Sequence, residues 1–107
     1  MDSLFHSFED LPAEEIERGI HVRTLSAGAV QLRHLVFEPE TLIPDHRHPE
    51  EVVTMVLEGT MEMTVGEETR KVAAGDLFRV PPETRHSGRV FSEKVVAVSI
   101  SPKRRRG

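Results

Sequence analysis

The chain has no cysteine, so it can form neither a disulfide bond nor a thiolate bond to a metal ion. Any bound metal would have to use histidine, carboxylate or water as its ligands. Tryptophan and tyrosine are also absent, and five phenylalanines are few for an aromatic platform that stacks on sugars or bases. The net charge is −4 at pH 7, so we expect no nucleic-acid partner.

Long hydrophobic runs are missing as well. No apolar stretch approaches the length of a membrane span, and residues 1–20 lack the basic-then-apolar order of a signal peptide. We therefore expect a cytoplasmic protein without a membrane partner. A length of 107 residues predicts one domain with one modest core.

Short strand patterns separated by turn residues occupy most of the chain. The segments with strand character are 20–25, 30–37, 41–48, 51–57, 60–65, 69–73, 77–80 and 94–100. A single helical turn is predicted after Leu11-Pro12, because proline suits the first position of a helix. Many short strands with almost no helix predict an all-β sandwich or barrel.

Three segments follow from this pattern. Residues 1–18 form an N-terminal extension, residues 19–102 form the domain, and residues 103–107 form a basic C-terminal tail. The acidic residues of the extension are interpreted as a solvated face. The tail is interpreted as a solubilising terminus rather than a nucleic-acid patch, because the protein as a whole is acidic.

Three histidines are the most informative residues. His46 and His48 form a His-x-His pair, and His86 follows 38 residues after His48. On a strand, such a pair points both imidazoles to one face. A third histidine from a distant strand would complete a set that leaves coordination positions open, as in reactive metal sites. The alternative is a protein that retains the histidines without a working metal site.

The two histidine segments resemble the two motifs of the cupin family. The first motif has His-x-His, then a glutamate, then a glycine, and the segment His46–Gly59 follows it. The second runs from glycine through Pro-x-Gly to histidine, and Gly75–His86 follows it with Glu83 in place of the second glycine. The resemblance covers residues 19–102. It implies a double-stranded β-helix, or jelly-roll, barrel that holds a divalent ion in its mouth: Zn, Fe, Ni, Cu or Mn.

The chain departs from the cupin pattern at the fourth metal ligand. The spacing to Gly59 puts this ligand at Val52, which cannot bind a metal ion. Glu51 lies one residue earlier, and on a regular strand it would point to the opposite face. The distance from His48 to Gly59 leaves no extra residue for a bulge that could turn Glu51 inward. We therefore expect three histidine ligands, with Glu51 as the alternative fourth.

Within the cupins, the chain is most similar to small bacterial proteins of the pectin-degradation type. The similarity lies in the segments Glu17–Arg23, Thr64–Thr69 and Ser101–Arg104. It implies a metal enzyme acting on unsaturated uronates, with Arg104 matching a functional arginine near the C-terminus. However, the glutamine ligand of that group falls at Val52, and the acidic residue of its last strand is missing from residues 95–99. The resemblance therefore supports membership of the group more than its specific activity.

The candidate ligand-binding residues are Arg33, Val52, Thr54 and Arg104. If the strand register follows that of other cupins, Arg33 faces the barrel, where its planar fork could bind a substrate carboxylate. A solvated or salt-bridged arginine is the more common alternative. Three neutral imidazoles would leave the full charge on the ion, which favours an anionic, oxygen-rich ligand such as a keto acid, an enolate or a uronate. Such a site fits a lyase, isomerase or dioxygenase. The alternative is a non-catalytic module that binds a small ligand or metal.

One strand carries two apolar faces. Val52, Thr54 and Val56 form one face, and Val53, Met55 and Leu57 form the other. If the first lines the barrel, the second is left exposed in a monomer, and an exposed apolar row often marks an interface. We expect a homodimer. The alternative is that residues 20–25 of the same chain cover the row.

Overall fold

The fold is that of a computed structural model, which describes residues 4–103. This part of the chain contains one short 3-10 helix, Phe8–Asp10, and ten strands. The strands are β1 Ala13–Glu17, β2 Ile20–Ser26, β3 Val30–Phe37, β4 Leu42–His46, β5 Val52–Glu58, β6 Thr60–Val65, β7 Glu68–Ala73, β8 Leu77–Val80, β9 His86–Val90 and β10 Val95–Pro102. Within it, no helix is long and apolar enough to cross a membrane.

The strands form two antiparallel sheets. The larger has the order β1-β2-β3-β10-β5-β8, and the smaller has the order β4-β9-β6-β7. Neighbours far apart in sequence, such as β3 and β10, show that the chain winds from one sheet to the other as in a jelly roll. The all-β, double-stranded β-helix fold predicted from the sequence is therefore confirmed.

The hydrophobic core lies on the inner faces of the two sheets. The central strands alternate between the core and the outside, as the two-residue period of a strand requires. On β5, for example, Val56 is fully buried whereas Met55 and Leu57 on either side are exposed. The buried core residues are Ile20, Val22, Phe37, Val56, Met61, Met63, Val72, Val90, Val95 and Ala97.

The N-terminal extension differs from its prediction. The prediction of a helical turn after Leu11-Pro12 is wrong. Residues 13–17 form β1, which pairs with β2, and the 3-10 helix lies just before Leu11. Pairing with β2 satisfies backbone groups that one isolated helical turn would leave to water. Tertiary pairing thus overrides a weak local preference. The boundary at residue 18 between extension and domain stays a prediction.

Arg23 fixes the 3-10 helix to the outer face of the larger sheet. Its Nη1 lies 2.9 Å from each of the carbonyl oxygens of Phe8, Glu9 and Leu11. The Phe8 ring also packs on the ring of His34, with their centroids 4.8 Å apart. His34 therefore lies on the outside of the barrel, as the sequence predicted, although it is half-buried there.

The outer face of the larger sheet carries an exposed apolar row. Met55 is 40% exposed, and its partners across the sheet are Val98 on β10 and Leu77 on β8. Strand β2 does not cover the row, because it lies beside β3 in the same sheet. The alternative that residues 20–25 of the same chain cover the apolar row is therefore wrong.

We predict that this row pairs with its own copy in a C2 dimer. Its burial would remove apolar surface worth roughly 25 cal/mol per Å² from water, whereas Met55→Glu would force a charge into the interface. Met55→Glu should give monomers in light scattering at micromolar concentration. Leu42→Glu, which adds the same charge at an exposed site of the smaller sheet, should stay dimeric. A monomeric unmodified protein would contradict the prediction.

Candidate metal site

The three histidines meet between the two sheets. His46 ends β4 and lies directly opposite His86, the first residue of β9, and His48 follows two residues beyond the strand. The ring centroids are 4.1 Å apart for His46 and His86, 4.9 Å for His48 and His86, and 5.8 Å for His46 and His48. One ring nitrogen from each lies within 4.8 Å of the others, which is close enough to share one ion.

Backbone carbonyls fix the tautomer of all three rings. The Nδ1 atoms of His46, His48 and His86 lie 2.7, 2.9 and 2.9 Å from the carbonyl oxygens of Pro44, Glu50 and Thr84. A carbonyl can only accept, so each Nδ1 donates its hydrogen and each Nε2 keeps a free lone pair. Metal-binding histidines usually donate their other N–H in this way, so the donor set fits a divalent ion.

His86 is the most buried member of the set. It is 7% exposed, and burial lowers its pKa below the ordinary value, against an opposing contribution from the Thr84 carbonyl. The neighbouring His46 and His48 lower the pKa further, since two imidazolium ions would repel. The lowered pKa favours the neutral ring, which is the state that binds a metal ion.

The structure also shows where Val52 and Glu51, the two residues considered for the fourth metal ligand, are located. Val52 lines the cavity that contains the histidines, whereas the Glu51 carboxylate lies 2.7 Å from Nη1 of Arg79. Within residues 4–103, the group of ligand atoms around the three histidines includes no carboxylate. The site thus offers three nitrogens and leaves the remaining coordination positions open.

Arg33 lies inside the barrel rather than in a surface salt bridge. It lines the cavity with the histidines, and its Nε is buried without a hydrogen-bond partner among residues 4–103. The salt bridges found within residues 4–103 do not involve it. A buried donor without a partner is costly, so an acceptor at this point of the cavity would stabilise Arg33. Arg104, the other arginine candidate, lies outside the described residues.

Two polar residues accompany Arg33 on the same row of the sheet. Ser99 pairs with Arg33 on one side and with Thr54 on the other, and both hydroxyl residues are 6% exposed. Thr54 was predicted from the sequence, but Ser99 was missed. Ser99 and Ser101 alternate with apolar neighbours in the last strand. This pattern could have identified Ser99 as a residue that faces the cavity.

Glu17 is a second residue that the sequence did not identify. A bulge between Glu15 and Glu17 shifts the register of β1, so that Glu17 lies opposite the inward-facing Ile20. Glu17 therefore lines the cavity, although it remains exposed, instead of belonging only to a solvated face. The sequence contains no signal for the bulge.

The cavity that holds these residues has a volume of about 410 Å³. This is within the usual range for small-molecule sites. Histidines, Arg33, Glu17 and hydroxyl groups line part of it, and aliphatic and aromatic side chains line the rest. The arrangement can hold a metal ion and a small ligand side by side.

Comparison with known proteins agrees with this architecture. The H2HPP isomerase of Bacillus subtilis is 28% identical over 88 residues, which cover 80% of this chain but only 37% of that protein. An RmlC-like cupin from Shewanella frigidimarina has a TM-score of 0.85 at 24% identity, covering 96% of this chain and 94% of that one. KdgF from Halomonas sp. has a TM-score of 0.81 at 22% identity, covering 97% and 96%. The family model of the cupin domain matches residues 33–101, more than half of the chain, and the protein therefore belongs to the cupin family.

Proposed function

We propose that this cupin binds a divalent metal ion through His46, His48 and His86 and uses it to bind a small anionic molecule. The observation that carries the proposal is the set of three Nδ1 hydrogen bonds, which leave each Nε2 free to bind, together with one ring nitrogen from each histidine within 4.8 Å of the others. The ion would be Zn, Fe, Ni or Cu, which imidazole ligands suit, or Mn, which the open positions could hold through oxygen ligands. A cytoplasmic homodimer is the form in which we expect the protein to act.

The chemistry follows from the charge of the site. With three neutral ligands, a bound ion would keep its full charge and act as a Lewis acid toward a carbonyl or carboxylate oxygen. The Arg33 guanidinium lies in the same cavity and would bind a further oxygen of an anionic ligand in a charge-assisted hydrogen bond. An oxo acid or a uronate would use both groups at once.

The protein is proposed as an enzyme of the lyase, isomerase or dioxygenase type, and the isomerase among its relatives supports this choice. The alternative is a module that binds a ligand or metal without catalysis. This alternative is favoured because, within residues 4–103, no carboxylate oxygen belongs to the histidine group, and Glu17, which lines the cavity, is exposed. An activity screen on metal-loaded protein with oxo acids and unsaturated uronates distinguishes the two.

The metal site is tested first. His46→Ala should abolish tight zinc binding in calorimetry and in metal analysis, because two imidazoles cannot replace three. The protein should remain folded, since His46 is exposed and lies outside the hydrophobic core. His34→Ala removes a histidine from the outer face and should bind zinc normally. Tight zinc binding by His46→Ala would contradict the proposed site.

A second prediction concerns Val52, at the position of the fourth metal ligand. Val52→Glu should tighten zinc binding by about tenfold, or about 1.4 kcal/mol, because a carboxylate is placed beside the ion. It should also weaken binding of pyruvate, since the ion loses net charge. Val52→Gln is the control: a neutral oxygen ligand should leave pyruvate affinity nearly unchanged. Identical pyruvate affinity in both variants would show that site charge does not select the ligand.

Arg33 makes a third prediction. Arg33→Gln should weaken pyruvate binding by about tenfold, because a hydrogen bond to a charged group contributes roughly 1.5–3 kcal/mol. Zinc binding should not change, because Arg33 is not a ligand. The control is Arg79→Gln, which removes an exposed guanidinium paired with Glu51. Equal pyruvate affinities of the two variants in calorimetry would refute a role for Arg33.

A further inference from the structure

We propose that the ligand has an anionic head and an apolar body, as in an oxo acid with a branched aliphatic or aromatic side chain, and that it is not a polyhydroxylated acid. This inference rests on the proposed function and names the substrate class of the same site. It follows from a change in side-chain chemistry along the cavity. One end of the cavity is charged and hydrogen-bonding, and the other is hydrocarbon except for the exposed residue Glu17, which lies opposite Ile20.

The change is first seen on the larger sheet. Along β3, the cavity-lining residues are Arg33, Leu35 and Phe37 in order. Their partners on β10 are Ser99, Ala97 and Val95. A polar row of the sheet is thus followed by two apolar rows. Because a strand rises roughly 3.3 Å per residue, the three rows extend over about 13 Å.

The smaller sheet shows the same order. On β9, His86 is followed by Gly88 and Val90, which pair with Val65, Met63 and Met61 on β6. Met61, Met63 and Val90 belong to the same buried cluster as Phe37 and Val95 of the other sheet. The apolar ends of the two sheets therefore face each other.

The charged ends of the two sheets also coincide. Arg33, His48 and Val52 line an adjoining cavity of about 380 Å³ as well as the main one. A ligand whose head lies between the ion and Arg33 would therefore direct its body toward Leu35 and Phe37. The apolar side chains there are Ile20, Leu35, Phe37, Ile43, Met61 and Met63.

This wall selects against hydroxyl groups. A hydroxyl placed against it would lose its hydrogen bonds to water and find no partner among these side chains. A methyl group or an aromatic ring at the same place would gain burial instead. The two methionines add flexible, polarisable surface that can adapt to the shape of the body. A uronate fits the charged end of the cavity but not this one.

The test compares three acids by calorimetry on zinc-loaded protein. The acids are 4-methyl-2-oxopentanoate, pyruvate and D-galacturonate. The branched oxo acid should bind at least tenfold tighter than pyruvate, because even one buried methylene changes affinity by about tenfold or more. Galacturonate should bind more weakly than the branched acid by at least the same factor. Galacturonate binding as tightly as 4-methyl-2-oxopentanoate would overturn the inference.

A pair of variants on β3 locates the effect. Leu35→Asn places an amide in the apolar part of the cavity. It should weaken the binding of 4-methyl-2-oxopentanoate by at least tenfold and leave the binding of zinc and pyruvate unchanged. Val30 lies on the same strand but does not line the cavity, so Val30→Asn should leave the binding of zinc, pyruvate and 4-methyl-2-oxopentanoate unchanged. Equal affinity of the two variants for the branched acid would overturn the inference.

Failure of the metal site and failure of this inference remain separable. Zinc titration alone reports on the three histidines. The order of affinity among the acids depends on the cavity wall, so it should persist in metal-free protein at lower overall affinity. If zinc does not bind but the branched acid is still preferred, the metal proposal fails and the inference stands. If zinc binds and the acids are not distinguished, the inference fails alone.

Discussion

The two-residue alternation of the strands is the constraint on which the rest of this molecule depends. Because successive side chains point to opposite faces, one strand can contribute to the cavity and to the outer surface at once. On β5, Thr54 faces the cavity while Met55 lies on the exposed apolar row. A shift of one residue would exchange the two faces and remove both the site and the row. Ligand binding and the proposed dimer contact therefore depend on the same register.

The same alternation explains which features could be predicted from the sequence. Strands β3, β6 and β8 lie where their apolar patterns placed them, because long-range pairing and local pattern agree there. The outward position of Glu51 followed from counting residues along one regular strand, and its contact with Arg79 agrees with that count. The three histidines could be assigned to one site because two sequence motifs specify their positions in the barrel.

Irregular backbone explains what could not be predicted. Strand β1 forms only because β2 offers a free edge, which is a property of the folded sheet and not of residues 13–17. The bulge that turns Glu17 toward the cavity has no glycine or other local signal. His48 lies beyond the end of β4, so strand alternation alone does not orient it. The carbonyl of Glu50 does so instead, by fixing its ring.

Under the proposed function, Val52 and Arg33 would together explain how a cupin site can change its ligand without changing its fold. A carboxylate at position 52 would neutralise part of the charge on the ion, whereas valine leaves that charge available to an external anion. Arg33 then adds a second positive group whose Nε has no hydrogen-bond partner in the described part of the chain. An anion bound between the ion and Arg33 would satisfy the open coordination positions and the buried donor at once. The external anion would then supply the negative charge that a carboxylate ligand at position 52 would otherwise supply.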